Sequence, residues 1–153
     1  MMIGEIITAM LWSISPLGEA KVGIPYAIFN GVNIYLAFLF CFLANVMVFP
    51  VMIFFLDNIN SFFLRWRFYK KSAIYVARKA KLGAGSNLQK YGFWGLLIFV
   101  MIPIPGTGVY AGTIATYLFG IERKRAFVAN TIGIFFSCVI IWTMSVLTFE
   151  GLG

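Results

Sequence analysis

The sequence predicts an all-α integral membrane protein: an inverted repeat of two re-entrant helical hairpins, each followed by a transmembrane helix, with an interfacial amphipathic helix between the halves. Three observations carry this. First, 61% of the 153 residues are hydrophobic and 11% are charged, with mean hydropathy +0.93; a soluble domain carries about 25% charged residues. Second, charge is segregated. Eight of the 12 basic residues lie between Arg65 and Lys90, and three more form Arg123, Lys124 and Arg125. Third, the uncharged run from Tyr91 to Ile121 is interrupted by "PIPGTG" at 103–108.

Four apolar stretches follow in order: 1–18, 22–56, 91–121 and 126–149. No Lys or Arg precedes Lys21 and Glu5 stands where a basic n-region belongs, so no secretory signal is expected. The second stretch is too long for one helix, and Asn30, Gly31 and Asn33 break it. Residues 34–56 then supply a crossing of about 34 Å, and 126–149 supply another. Asn45 and Pro50 inside the first crossing are tolerable where neighbouring helices satisfy the freed groups.

The third stretch behaves differently. Basic residues beside apolar spans mark the cytoplasmic face, and 91–121 has Lys90 on one side and Arg123–Arg125 on the other. Both its ends therefore belong on one side. "PIPGTG" becomes the tip of a re-entrant hairpin whose arms, 91–102 and 109–121, are each about 18–20 Å long. Broken backbone at that depth must lie against protein or a watery cavity.

Shifted by 89 residues, "SPLGEAKVGIPYAIFNGVNIYLAF" (15–38) lies over "IPGTGVYAGTIATYLFGIERKRAF" (104–127) without a gap. Pro16 meets Pro105, Gly23 meets Gly112, Gly31 meets Gly120, and Ala37–Phe38 meet Ala126–Phe127. Small residues at four-residue spacing, Gly23/Ala27/Gly31 and Gly112/Thr116/Gly120, suit close helix approach in lipid; shared glycine richness is the plainer explanation. The first crossing ends at the basic segment and the second begins there, so the halves have opposite orientation, with their tips meeting near the midplane. Repeat one covers about 1–57, the basic linker 58–90 and repeat two about 91–150, in a single membrane domain.

In the linker, 59–81 fit one interfacial helix. Phe62, Trp66, Tyr69, Ala73, Val76 and Ala80 share a stripe, opposite Arg67, Lys70, Lys71, Arg78 and Lys81. Gly83, Gly85 and Ser86 form its loop exit. The basic charge is read as topology, which excludes a nucleic-acid partner. A cell-membrane location is expected, with 65–90 and Arg123–Arg125 cytoplasmic and both termini outside.

Glu19 and Lys21 are the only charges between Glu5 and Asp57, and the repeat puts them at the first tip, opposite Gly108 and Tyr110. A charge at that depth costs about 2.5–3.5 kcal/mol, so such residues are functional by default. Glu19 can exchange a proton and Lys21 can hold an anionic headgroup; the alternatives are an ion pair stapling the tips, or a loop that reaches water. Gly106, Thr107 and Gly108 open the returning arm, where free amides favour an anion or permit close packing. Tyr110 and Asn130 can line the path, or only satisfy neighbouring helices. Arg125 can screen an anion at the inner mouth, or serve topology alone. With no histidine and five acids, no metal site, cofactor or enzymatic nucleophile–base pair is expected. Cys41 and Cys138 fall in apolar segments and read as buried thiols.

"GEAKVGIP", then "YGFWGLLIFVMIPIPGTGVYAG" and "GIERKRAF", resemble the small multidrug export protein family, which looks like a branch of the DedA/VTT superfamily. The motifs bring Pro25, Pro103 and Pro105 into the candidate site. The resemblance implies two inverted repeats, a homodimer, and translocation of lipid phosphates or scrambling of membrane lipids. Lys21 stands where that family usually carries arginine, and Val100 and Gly106 where DedA relatives place arginines. The expected function is transport of a lipid-like, anionic substrate, such as a polyprenyl phosphate or phospholipid, with proton coupling through Glu19 as an option. Export of cationic or hydrophobic drugs, or a non-transporting assembly role, are the alternatives.

Overall fold

A computed structural model describes residues 2–83, 91–104 and 107–152. The described residues form eight helices: α1 Met2–Ile14, α2 Ala20–Phe29, α3 Ile34–Asn58, α4 Asn60–Phe63, α5 Arg67–Gly83, α6 Phe93–Met101, α7 Val109–Phe119 and α8 Arg123–Leu152. Two of them, α3 and α8, are long and apolar enough to cross a membrane. With the composition, they make this a helical membrane protein. α1, α2 and α7 are apolar but shorter.

Breaks fall where the sequence places them. Asn33 stops one helix and starts the next, its Oδ1 accepting from the amides of Tyr35 at 3.0 Å and Leu36 at 3.4 Å, which satisfies two orphan donors of α3. Gly31 (φ 78°) and Gly120 (φ 63°) both adopt the left-handed turn that ends a helix. After each, one amide reaches back five residues: Val32 to the Ala27 carbonyl at 3.0 Å, and Ile121 to that of Thr116 at 3.1 Å. These positions are 89 residues apart, as are the starts of α2 and α7 and of α3 and α8.

α3 and α8 run antiparallel. At one end the Trp142 indole donates to the Ile34 carbonyl at 2.9 Å; at the other, Arg123 Nη2 donates to Asp57 Oδ1 at 2.7 Å, with Nη1 on Oδ2. Between these ties, Phe38 and Phe42 meet Phe135 edge-on, and Phe49 packs on Phe127. The remaining helices are shared crosswise. α1 and α2 pack on α3 while α2 also reaches α8; α6 and α7 pack on α8 while α7 also reaches α3.

Small residues permit this closeness. Gly23 in α2 lies against α1, and a Cβ there would overlap Ser13 Oγ and crowd the Ala9 carbonyl. Its counterpart Gly112 in α7 lies against Asn130 Oδ1 and Val100. Cys41 and Cys138 are buried free thiols, as expected.

The single amphipathic helix expected over 59–81 is instead two helices with a bend at 64–66. Across the bend, Arg65 and Trp66 take amide bonds to residues three back, Phe62 and Phe63. The cause is aromatic. Phe63 gathers Phe55, Trp66 and Tyr69 within 5.6–6.0 Å, and the Tyr69 hydroxyl donates to buried Asn60 at 2.9 Å. A straight helix would set Phe63 and Tyr69 about 120° apart around its axis. Within α5 the side chains of Ala73, Val76, Ala80 and Lys81 lie outside the described residues, as do Gly85 and Ser86.

Gly23→Ala should lower stability by about 1–3 kcal/mol through overpacking of α1 on α2. Thermal unfolding in detergent reads this, with Gly4→Ala, where a Cβ meets nothing, as the neutral comparison.

Candidate functional site

The site lies where the two broken segments, 15–19 and 102–108, face each other. In the first, Ser15 gathers the turn: its carbonyl accepts from Gly18 at 3.2 Å and Glu19 at 3.0 Å, and its hydroxyl from the Leu17 amide at 3.3 Å. The turn delivers Glu19 to the N-cap of α2 with φ 55°, ψ −167°, conformational space that non-glycine residues rarely enter. Such a residue stores of order 1–3 kcal/mol and persists where its surroundings over-determine it.

Those surroundings are visible. Glu19 is 7% exposed, and its Oε2 lies 3.2 Å from Lys21 Nζ. The Lys21 ammonium also donates to the Ile104 carbonyl at 2.8 Å, joining the first break to the second. The carboxylate rests on Gly108, where any Cβ would overlap it. From the other side, the Tyr110 hydroxyl donates to the Ile14 carbonyl at the end of α1. Each break thus offers a carbonyl to a side chain of the other. Sequence alignment pairs Glu19 with Gly108 and Lys21 with Tyr110; in space the first pair touches, and the second makes the two reciprocal bonds.

The second break is also stitched within itself. After Pro103, which cannot donate, the Thr107 hydroxyl lies 2.7 Å from the Ile102 carbonyl and 2.8 Å from that of Ile104, and the Thr107 amide donates to Ile104 at 3.2 Å. That amide is therefore spent and not free for an anion. Pro105 and Gly106 lie outside the described residues. Pro25 sits inside α2 and leaves the Lys21 carbonyl without its helical donor.

Asn130 is fully buried on α8. Its amide nitrogen donates to the Ala126 carbonyl at 2.9 Å, which turns Oδ1 onto Gly112. Arg125 is not brought to this cluster. It lies in the first turn of α8, exposed, pairing with Glu122 at 3.1 Å, beyond the far end of α7. That helix spans about 16 Å.

Glu19, Lys21, Gly108, Tyr110 and Thr107 thus converge, with Asn130 one turn along α7. What the sequence did not reveal is that the Ile14 and Ile104 carbonyls receive the cross-links. Prolines announce freed carbonyls, but no sequence signal names the donor that reaches them.

A model of the family described as "Putative small multi-drug export protein" matches residues 19–140. The chain belongs to this family. The match opens at Glu19, the last residue of the first break, and runs through α2, α3, the second break and more than half of α8. Comparison with curated proteins and with solved structures gives no match to either. In this small multi-drug export family member, Glu19 and Lys21 lie at the start of the matched segment and stand where the two breaks join.

Gly108→Ala should cost about 1–3 kcal/mol by displacing the Glu19 carboxylate. In a Glu19→Gly background the same change should cost much less, since the colliding group is gone and φ 55° suits glycine. A double-mutant cycle on thermal unfolding in detergent measures that coupling.

Proposed function

We propose that this family member is a membrane transporter of DedA/VTT type that moves an amphiphilic anion, lipid-like and phosphate-bearing, together with a proton. The observation that carries the reading is the Glu19–Lys21 ion pair, held on the Ile104 carbonyl where the broken segments meet. Protonating Glu19 dissolves the pair and releases Lys21 to an anionic headgroup; losing the proton restores the pair and expels the anion.

The membrane arrangement belongs to the same proposal. α1–α2 and α6–α7 are re-entrant hairpins entering from opposite leaflets, related by an inverted repeat. Supporting it are the antiparallel α3 and α8, the crosswise sharing of the short helices and the local geometry recurring 89 residues apart. The basic linker 65–90 and Arg123–Arg125 face the cytoplasm, both termini lie outside, and the protein sits in the cell membrane as a homodimer in contact with lipid.

A second reading, export of cationic or hydrophobic compounds, has the family description behind it. Glu19 Oε2, buried and without a hydrogen bond of good geometry, favours a substrate that brings a donor.

In proteoliposomes, flipping of labelled polyprenyl phosphate or phospholipid should rise on acidification in wild type. Glu19→Gln should remove that pH dependence, and Lys21→Met should slow flipping by about tenfold or more, a barrier change near 1.4 kcal/mol, with Lys21→Arg retaining it. Flipping that is equal in all four proteins excludes the anion reading. Drug resistance on overexpression that Glu19→Gln abolishes, without lipid flipping, selects the second. For topology, cysteines at Asn30 and Lys70 should react with impermeant reagent from opposite sides.

A further inference from the structure

Four residues on one face of α7 lead away from Glu19 at four-residue spacing: Gly108, Gly112, Thr116 and Gly120. Each meets something different. Gly108 carries the Glu19 carboxylate, and Gly112 carries Asn130 Oδ1. Thr116 and Gly120 line a cavity of about 370 Å³ with Ile53, Glu122 and Arg123. The face therefore runs from the buried carboxylate to a half-open cavity of mixed polar and apolar lining at Arg123, which pairs with Asp57.

One acceptor on this face lacks a donor among the described residues: Asn130 Oδ1 receives no hydrogen bond, although Asn130 is 0% exposed. Glu19 Oε2 meets the Lys21 ammonium at 3.2 Å but no hydrogen bond of good geometry. The Asn130 orientation is fixed by its neighbour, since only the amide nitrogen can donate to the Ala126 carbonyl. Folded proteins rarely leave a buried acceptor unpaired. Successive rungs of the face are about 6 Å apart along the axis. One water, with two hydrogen bonds of about 2.8–3.0 Å, spans that separation.

We infer that this face of α7 is a proton-access path on which water from the Arg123-lined cavity reaches Glu19, with Asn130 Oδ1 as the intermediate acceptor. The inference rests on the proton-linked reading above and gives it a side: protons reach Glu19 from the end bearing Arg123. Glycine at 108 and 112 lets the Glu19 carboxylate and Asn130 Oδ1 lie directly on the α7 backbone, and the Thr116 hydroxyl, bonded to the Gly112 carbonyl at 2.8 Å, keeps a polar atom at the cavity end. Besides Lys21, the titratable side chains within electrostatic reach of Glu19 among the described residues include Tyr110 on α7 and Cys138 on α8. Neither lies on the path. Asn130 is a positioning residue here, since it acts through water.

The test is proton uptake by the purified full chain in detergent after an acidic pH jump, followed with an indicator dye. Wild type should take up one proton more than Glu19→Gln, in a distinct phase. Asn130→Leu and Thr116→Val should take up the same number with that phase slowed about tenfold, whereas Thr116→Ser should keep the wild-type rate. If Asn130→Leu does not fold, the Thr116 pair decides alone. Glu19→Gln taking up as many protons as wild type would overturn the path and the proton-linked reading together. Loss of the Glu19 proton with unchanged rates in Asn130→Leu and Thr116→Val overturns the path only, leaving Asn130 as a packing contact on the Gly112 Cα–H.

Discussion

One ammonium group ties the molecule together. Lys21 Nζ touches the Glu19 carboxylate at 3.2 Å and the Ile104 carbonyl at 2.8 Å, and these two bonds belong to opposite halves of the chain. In water such contacts are worth little, because both groups are well solvated and the pair is screened. Buried among apolar helices they are worth more, and losing one partner leaves the other uncompensated. Several features elsewhere become intelligible from this requirement. Glu19 accepts an unfavourable backbone because only that turn brings its carboxylate back to Lys21. Gly108 has no side chain because the carboxylate occupies its place. Pro103 can break α6 because Lys21 and Thr107 take up the carbonyls.

The packing follows the same logic at larger scale. Between helices in lipid there is no hydrophobic drive, so association depends on close fit and on polar contacts. Gly23 and Gly112 supply the fit, each admitting a polar atom from a neighbouring helix, Ser13 Oγ and Asn130 Oδ1 respectively. The aromatic seam between α3 and α8 and the ties at its two ends, Trp142 to Ile34 and Arg123 to Asp57, hold the long helices antiparallel. The short helices then have one place to lie, and their broken ends face each other.

In the proposed mechanism this arrangement puts a protonatable group where its protonation changes what its partner can bind. Glu19 and Lys21 neutralise one another, and the other hydrogen bond of the lysine is to backbone. A change of one proton is then a change of one unit in the charge offered to a ligand at the junction. The inferred path along α7 would lead from that junction to the cavity at the Arg123 end, placing the proposed substrate site and its proton supply on one helix.

The sequence by itself determined the membrane class, the two long helices, the breaks at 15–19, 30–33 and 102–108, and the isolation of Glu19 and Lys21 as the only charges between Glu5 and Asp57. Each of these is local. Hydropathy, proline, glycine and an isolated charge act on their own few residues whatever the rest of the chain does. Tertiary structure decided the bend at 64–66, because Phe63 and Tyr69 meet only when the helix is interrupted. It decided that Arg125 stays with Glu122, a full helix away from the junction. It also decided that Lys21 bonds to the Ile104 carbonyl and Tyr110 to that of Ile14. Contacts between residues more than eighty positions apart depend on how helices pack, and backbone carbonyls carry no side-chain identity for a sequence to display.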